Sequence, residues 1–204
     1  IEVLDPRGNT VRAWEGSGKT QEQIEWDARD DDGELMLSAM EYMVVVEARD
    51  SLGSKSMRTG TIETDVMVER DGDVLRINLP SIIFEPFAHD LFEKENEQLL
   101  ENISTMQRLA DVLKEYPDHD ILIEGHAVSL LYYDEDLAEQ EQKETLIPLS
   151  RMRAEEVRQA LGILGVELHR MEAEGRGGAD PLVPHSDSEN RWKNRRVEVL
   201  LTPQ

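Results

Sequence analysis

Two domains are predicted, an all-β sandwich followed by an α/β domain. Three observations carry this. Up to about residue 64 the chain is short apolar runs broken by turn residues every ten residues or so, as in a two-sheet sandwich. From about residue 65, strand patterns alternate with long stretches of helical periodicity, which implies a sheet backed by helices. Between the two, Gly60 to Asp65 lacks either pattern and is the expected boundary, giving domains at 1–64 and 65–204.

In the first domain Ile1-Glu2-Val3-Leu4 reads as a strand and Asp5-Pro6-Arg7-Gly8-Asn9 as a turn. Thr10 to Trp14 alternates, as does Gln23-Ile24-Glu25-Trp26, which runs into the turn Asp30-Asp31-Asp32-Gly33. Tyr42 to Ala48 is the strongest strand and ends at Asp50-Ser51-Leu52-Gly53. Two motifs here imitate binding loops. Gly16-Ser17-Gly18-Lys19-Thr20 has the end of a phosphate-binding loop. Ala13 stands where its first glycine belongs, however, and strand-like alternation follows where a helix is required. Aligning Gly33 with the glycine of a calcium loop puts Ala28 and Ala39 at ligand positions, which leaves a solvated turn.

In the second domain Asp65–Arg70 and Val74–Leu79 flank Asp71-Gly72-Asp73, a hairpin signal because Asp-Gly supplies positive φ. Ile82-Ile83-Phe84 begins the next strand after Pro80. Leu91 to Tyr116 is the longest helix, with Leu99, Ile103, Met106, Leu109, Ala110 and Leu113 on one stripe and Pro117 as its stop. Ile121-Leu122-Ile123 is a buried strand, and the strand–helix–strand order implies a right-handed crossover. Ser150 is placed as the N-cap of a second helix, whose stripe is Val157, Ala160, Leu161 and Leu164. Gly165 follows as its left-handed cap. Arg153 then falls in the first turn, where the helix dipole favours an anion, so it is either solvated or matched by a carboxylate. Leu168 to Ala173 is a weaker strand and Arg196 to Leu201 the closing one.

Composition excludes several functions. With 44 acidic and 22 basic residues the net charge is −22, which repels nucleic acid and anionic lipid headgroups. No cysteine is present, so disulfides, thiolate metal sites and cysteine nucleophiles are absent, which suits an oxidising compartment. No apolar run is long enough to span a bilayer. No leader is visible, and the chain opens in a strand as a fragment without its targeting end would. The five histidines show no close helical pairing, and there is no nucleophile elbow or paired-carboxylate signature. No catalytic residue, metal or cofactor is expected.

Three motifs in order carry a resemblance. They are Ile123-Glu124-Gly125-His126, then Leu149-Ser150-x-x-Arg153-Ala154-x-x-Val157, then Asn194-Arg195-Arg196-Val197. Residues 65–204 resemble the OmpA-like C-terminal domain. The resemblance implies a β/α/β/α/β fold, a cell-envelope protein, either free in the periplasm or associated there with the outer membrane, and binding to the peptide stem of peptidoglycan. In that family an aspartate and an arginine hold the amine and carboxylate of a diamino acid. The arginine matches Arg153, and Gly125 and His126 also match. Asn194 and Arg195 are implied near the pocket, although they could instead cap the last strand. The family's Thr-Asp pair is replaced by Ala127-Val128, and the asparagine before the helix by Leu146. An amine left without its carboxylate costs about 3–5 kcal/mol, so affinity would fall roughly a hundred- to a thousandfold. An acidic insertion at about 129–146 carries Tyr132-Tyr133-Asp134-Glu135-Asp136. Asp134 or Asp136 could fold back as a substitute anion, the insertion could close over Arg153, or the run could be a solvated face or mobile flap. A scaffold that binds envelope proteins instead of peptidoglycan is the alternative function. The first domain is similar to the immunoglobulin-like domain of flagellar hook-capping proteins, on Val11-Arg12, Trp14, Ile24-x-Trp26-Asp27, Asp32-Gly33, Tyr42 and Asp50-x-x-Gly53.

Overall fold

The computed structural model describes residues 1–18, 23–80 and 96–204. The expected strand at Ile82-Ile83-Phe84, the start of the long helix at Leu91, and Lys19-Thr20 lie outside them. Internal contacts divide the chain into two units, Ile1–Asp65 and Val66–Gln204.

The first unit is one antiparallel sheet in the order β2-β1-β3-β4. Its strands are β1 (Glu2–Leu4), β2 (Thr10–Ala13), β3 (Glu41–Arg49) and β4 (Lys55–Glu63). The Asp5 carboxylate accepts from the amides of Arg7 and Asn9, each at 2.9 Å, and so sets the first turn. Asp30 does the same for Asp32 and Glu34, which is a turn and not an ion loop. Val3, Met36, Leu37 and Tyr42 form a small core, with Trp26 edge-on to Tyr42. Two expectations change here. Residues 23–26 form no strand, and β4, absent from the expected strands, pairs along all of β3. The second sheet of a sandwich does not appear among the described residues.

The second unit is a five-stranded mixed sheet in the order β5-β6-β9-β7-β8. β5 (Glu69–Asp71) and β6 (Val74–Pro80) form the expected hairpin, with Gly72 at φ 62° in its turn. β5 is shorter than the expected strand at Asp65–Arg70. Helix α1 (Asn96–Lys114) leads to β7 (His119–His126). Helix α2 (Glu135–Glu141) then runs through a widened turn, Gln142–Leu146, into helix α3 (Ile147–Ile163). β8 (Met171–Gly177) pairs parallel with β7, and β9 (Arg196–Pro203) fills the space between β6 and β7, antiparallel to both.

Strand alternation sorts the side chains. Leu75, Ile77 and Leu79 of β6, Ile121 and Ile123 of β7, and Val197, Val199 and Leu201 of β9 point to the helices. They meet Met106, Leu109, Ala110 and Leu113 of α1 and Ala154, Val157, Ala160 and Leu161 of α3. Each valine, leucine, isoleucine or methionine among them contributes about 1.5–3 kcal/mol by leaving water. Gly165 adopts φ 92° and closes α3, as expected.

Candidate ligand-binding site

The site begins with how closely α3 lies on the sheet. A Cβ on Gly125 would stand 2.0 Å from the Ser150 carbonyl oxygen, and one on Gly175 would stand 2.3 Å from that of Ile147. Only glycine allows this approach, so Gly125 has a packing role. Ser150 is not an N-cap, because the helix starts earlier and runs through it. Its hydroxyl donates to the Ile147 carbonyl at 3.1 Å and accepts from the Gly177 amide at 2.9 Å, locking α3 to the end of β8. Gln142, in the widened turn, adds a second lock. It accepts from the Gly178 amide at 2.7 Å and donates to the Arg176 carbonyl at 2.8 Å.

Arg153 follows one turn after Ser150 on the same face and is only 2% exposed. It is in the second turn of α3, not the first. Burial, with help from the charge of Arg195, pushes its guanidinium down to about 10, so it stays a cation at neutral pH. Arg195 is near enough for its charge to act on Arg153, and two guanidinium groups within electrostatic range suit a carboxylate. Asn194 has a different task. Its amide accepts from the Val183 N–H at 3.0 Å and donates to the Val183 carbonyl at 2.8 Å, fastening the β8–β9 loop.

The two acids considered as substitute anions are both exposed. Asp134 is exposed and caps α2, accepting from the Leu137 amide at 3.1 Å, and Asp136 is exposed beside it. A helix needs an acceptor for its first free amides, and that need takes Asp134. The insertion is also tied back. Glu141 accepts from the Ser129 hydroxyl at 2.6 Å and from the amides of Leu130 and Leu131 at 3.1 Å. The Ser129 amide donates to His185 at 3.3 Å.

His126 ends β7 on the face turned away from the helices. It is 2% exposed, and neither ring nitrogen has a hydrogen-bond partner. Burial, then the nearby Arg196, push it down to about 4, so the imidazole is neutral. Its Nε2 lies 3.8 Å from Glu198 and 4.0 Å from Glu124. These three are the metal-ligating types that converge among the described residues. The carboxylates are already engaged. Arg196 holds Glu198 Oε1 through two nitrogens and Arg76 holds Oε2 at 2.8 Å, while Arg176 lies 3.6 Å from Glu124. A cation at Glu198 would have to displace Arg196, so the cluster is assigned as a buried ion-pair network. Period-two spacing of Glu124 with His126 and of Arg196 with Glu198 is the signal that could have found it. A groove of about 520 Å³ between α3 and β8 is lined by Arg151, Glu155, Arg158, Glu172 and Glu174 and includes none of the binding candidates.

With this geometry in hand, comparison decides the family. The OmpA family model matches residues 91–195. The chain belongs to the OmpA family. A relative in Escherichia coli strain K12, named "Probable lipoprotein YiaD", is 32% identical over 163 residues, 79% of this chain and 64% of that protein. Outer membrane porin F of Pseudomonas aeruginosa is 34% identical over 110 residues, 53% of this chain and 29% of the porin. The chain therefore spans less than two thirds of either relative. A MotB-like protein from Desulfovibrio vulgaris has a solved structure that is 26% identical, with TM-score 0.52, covering 68% of this chain and 81% of that one. The OmpA-like part matches the module expected from the three motifs. No helix among the described residues is long and apolar enough to cross a membrane.

Proposed function

We propose that this chain is a non-enzymatic module of the bacterial cell envelope, periplasmic, that associates with the peptide stem of peptidoglycan. The observation that supports it is Arg153, buried within electrostatic range of Arg195 and at the position that matches the family motif's stem-binding arginine. Two guanidinium groups offer a stem carboxylate charge-assisted hydrogen bonds away from bulk water. The amine end is held less well, because Val128 stands where the family has aspartate and neither Asp134 nor Asp136 takes over. The recognition is therefore one-sided and weak. Gly125 and Asn194 serve by placing α3 and the β8–β9 loop, and His126 by filling the back of the sheet.

Val128 also favours a second reading, a scaffold that keeps the fold and binds envelope proteins. Sedimentation with purified sacculi separates the two. Wild type should co-sediment, and Arg153→Lys and Arg195→Ala, each checked for folding by circular dichroism, should not. A wild type that stays in the supernatant would leave the scaffold.

A further inference from the structure

The first unit has an unusual edge. β4 is the outer strand of its sheet, nine residues long, and every residue from Lys55 to Glu63 is exposed. Edge strands are ordinarily short, bulged or proline-bearing, because free N–H and C=O groups invite another strand. β4 has no proline and pairs with β3 in unbroken register. The hydrogen bonds flanking that ladder show which way its backbone points. Thr64 N–H donates to Met40 O at 2.9 Å, and Asp50 N–H donates to Ser54 O at 3.0 Å. In an antiparallel ladder, bonded and non-bonded pairs alternate. The even residues of β4 therefore bond to β3. Lys55, Met57, Thr59, Thr61 and Glu63 turn both N–H and C=O to the open edge.

We propose that β4 pairs with β4 of a second copy, antiparallel, about a two-fold axis at Thr59. This register uses the whole strand. Lys55 faces Glu63 of the other copy at both ends, Met57 faces Thr61, and Thr59 faces Thr59. All five outward residues fall in bonded pairs, since each odd residue meets an odd one. Opposite charges and threonine pairs placed directly across a sheet stabilise it. The chain as a whole is strongly acidic, but residues 55–62 hold two cations and no acid. Repulsion between copies is therefore reduced along this edge, and physiological salt screens the rest within roughly 8 Å. A one-residue slip would instead set odd residues against even ones and leave the ladder unbonded, and a two-residue slip would separate Lys55 from Glu63.

The test is sedimentation equilibrium of the 204-residue chain, with hydrogen exchange. Wild type should dimerise. Exchange at Met57, Thr59 and Thr61 should slow as concentration rises, while Ser56, Arg58 and Gly60 are protected at every concentration. Lys55→Glu and Glu63→Lys should each weaken the dimer about tenfold, by setting like charges opposite one another. Their equimolar mixture, and the double variant, should restore it. Thr59→Cys, the sole thiol in a cysteine-free chain, should cross-link across the axis, since bonded pairs stand about 5.5 Å apart at Cα. A monomeric wild type would overturn the proposal. So would a dimer indifferent to both charge reversals, or slowed exchange at Met57, Thr59 and Thr61 only when a different protein is added.

Discussion

Replacing Gly125 by alanine tests the packing on which the site depends. The new Cβ would lie 2.0 Å from the Ser150 carbonyl oxygen, 2.7 Å from its carbon and 3.2 Å from its Cα. All three are backbone atoms inside α3, so no side chain can swing away. The helix must move off β7, and with it the Ser150 bond to Gly177 and the placement of Arg153. Overpacking a well-filled core costs about 1–3 kcal/mol, and a backbone-to-backbone clash belongs at or above the top of that range. Gly162→Ala is the control. Its Cβ would meet Leu168 Cδ2 at 2.7 Å, the far end of a flexible side chain, and alanine gains about 1 kcal/mol of helix propensity. Urea unfolding of both variants measures the difference. Gly125→Ala should lose about 3 kcal/mol or more and Gly162→Ala should stay within about 1 kcal/mol. Equal stabilities would refute the argument that contact between α3 and β7 demands glycine.

Glu198→Ala leaves Arg196 buried without its carboxylate and should cost about 3–5 kcal/mol in the same assay. His126 makes stability depend on pH. Its folded value of about 4 lies below the ordinary 6.5, so the unfolded chain takes up a proton that the folded chain refuses. Stability is full above about pH 6.5 and falls as pH drops toward 4, by about 3 kcal/mol in total. Urea titrations at pH 7 and pH 4.5 should show that His126→Asn flattens this part of the profile. Glu141→Ala removes the acceptor for Ser129, Leu130 and Leu131, and hydrogen exchange at the Leu130 and Leu131 amides should quicken at least tenfold while α3 is unchanged.

Much of the second unit was legible because its stripes are strong. Val157, Ala160 and Leu161 could be assigned to a core-facing helix, and Gly165 to its cap, from spacing alone. Ser150 misled because a serine before a helical stripe has the look of a cap. The widened turn Gln142–Leu146 carried the helix through it, and the four polar residues before Leu146 gave no sign of that. β4 was hidden for another reason. Lys-Ser-Met-Arg-Thr-Gly-Thr-Ile-Glu has no apolar alternation, because neither face of that strand is buried, and pairing with β3 is what makes it a strand. Arg153 and Arg195 were found through motifs, but the network around Glu198 depends on register. Register places residues from β6, β7 and β9 side by side, and no local pattern states it.

In the proposed function Arg153 supplies the cationic half of a stem-binding clamp whose anionic half is missing at Val128. Calorimetric titration with a soluble stem peptide ending in its diamino acid tests this most directly. Val128→Asp should tighten binding by about a hundredfold or more, the cost of leaving an amine unpaired being returned, and Arg153→Lys should abolish the gain. Identical weak or absent binding in wild type, Val128→Asp and Arg153→Lys would contradict it.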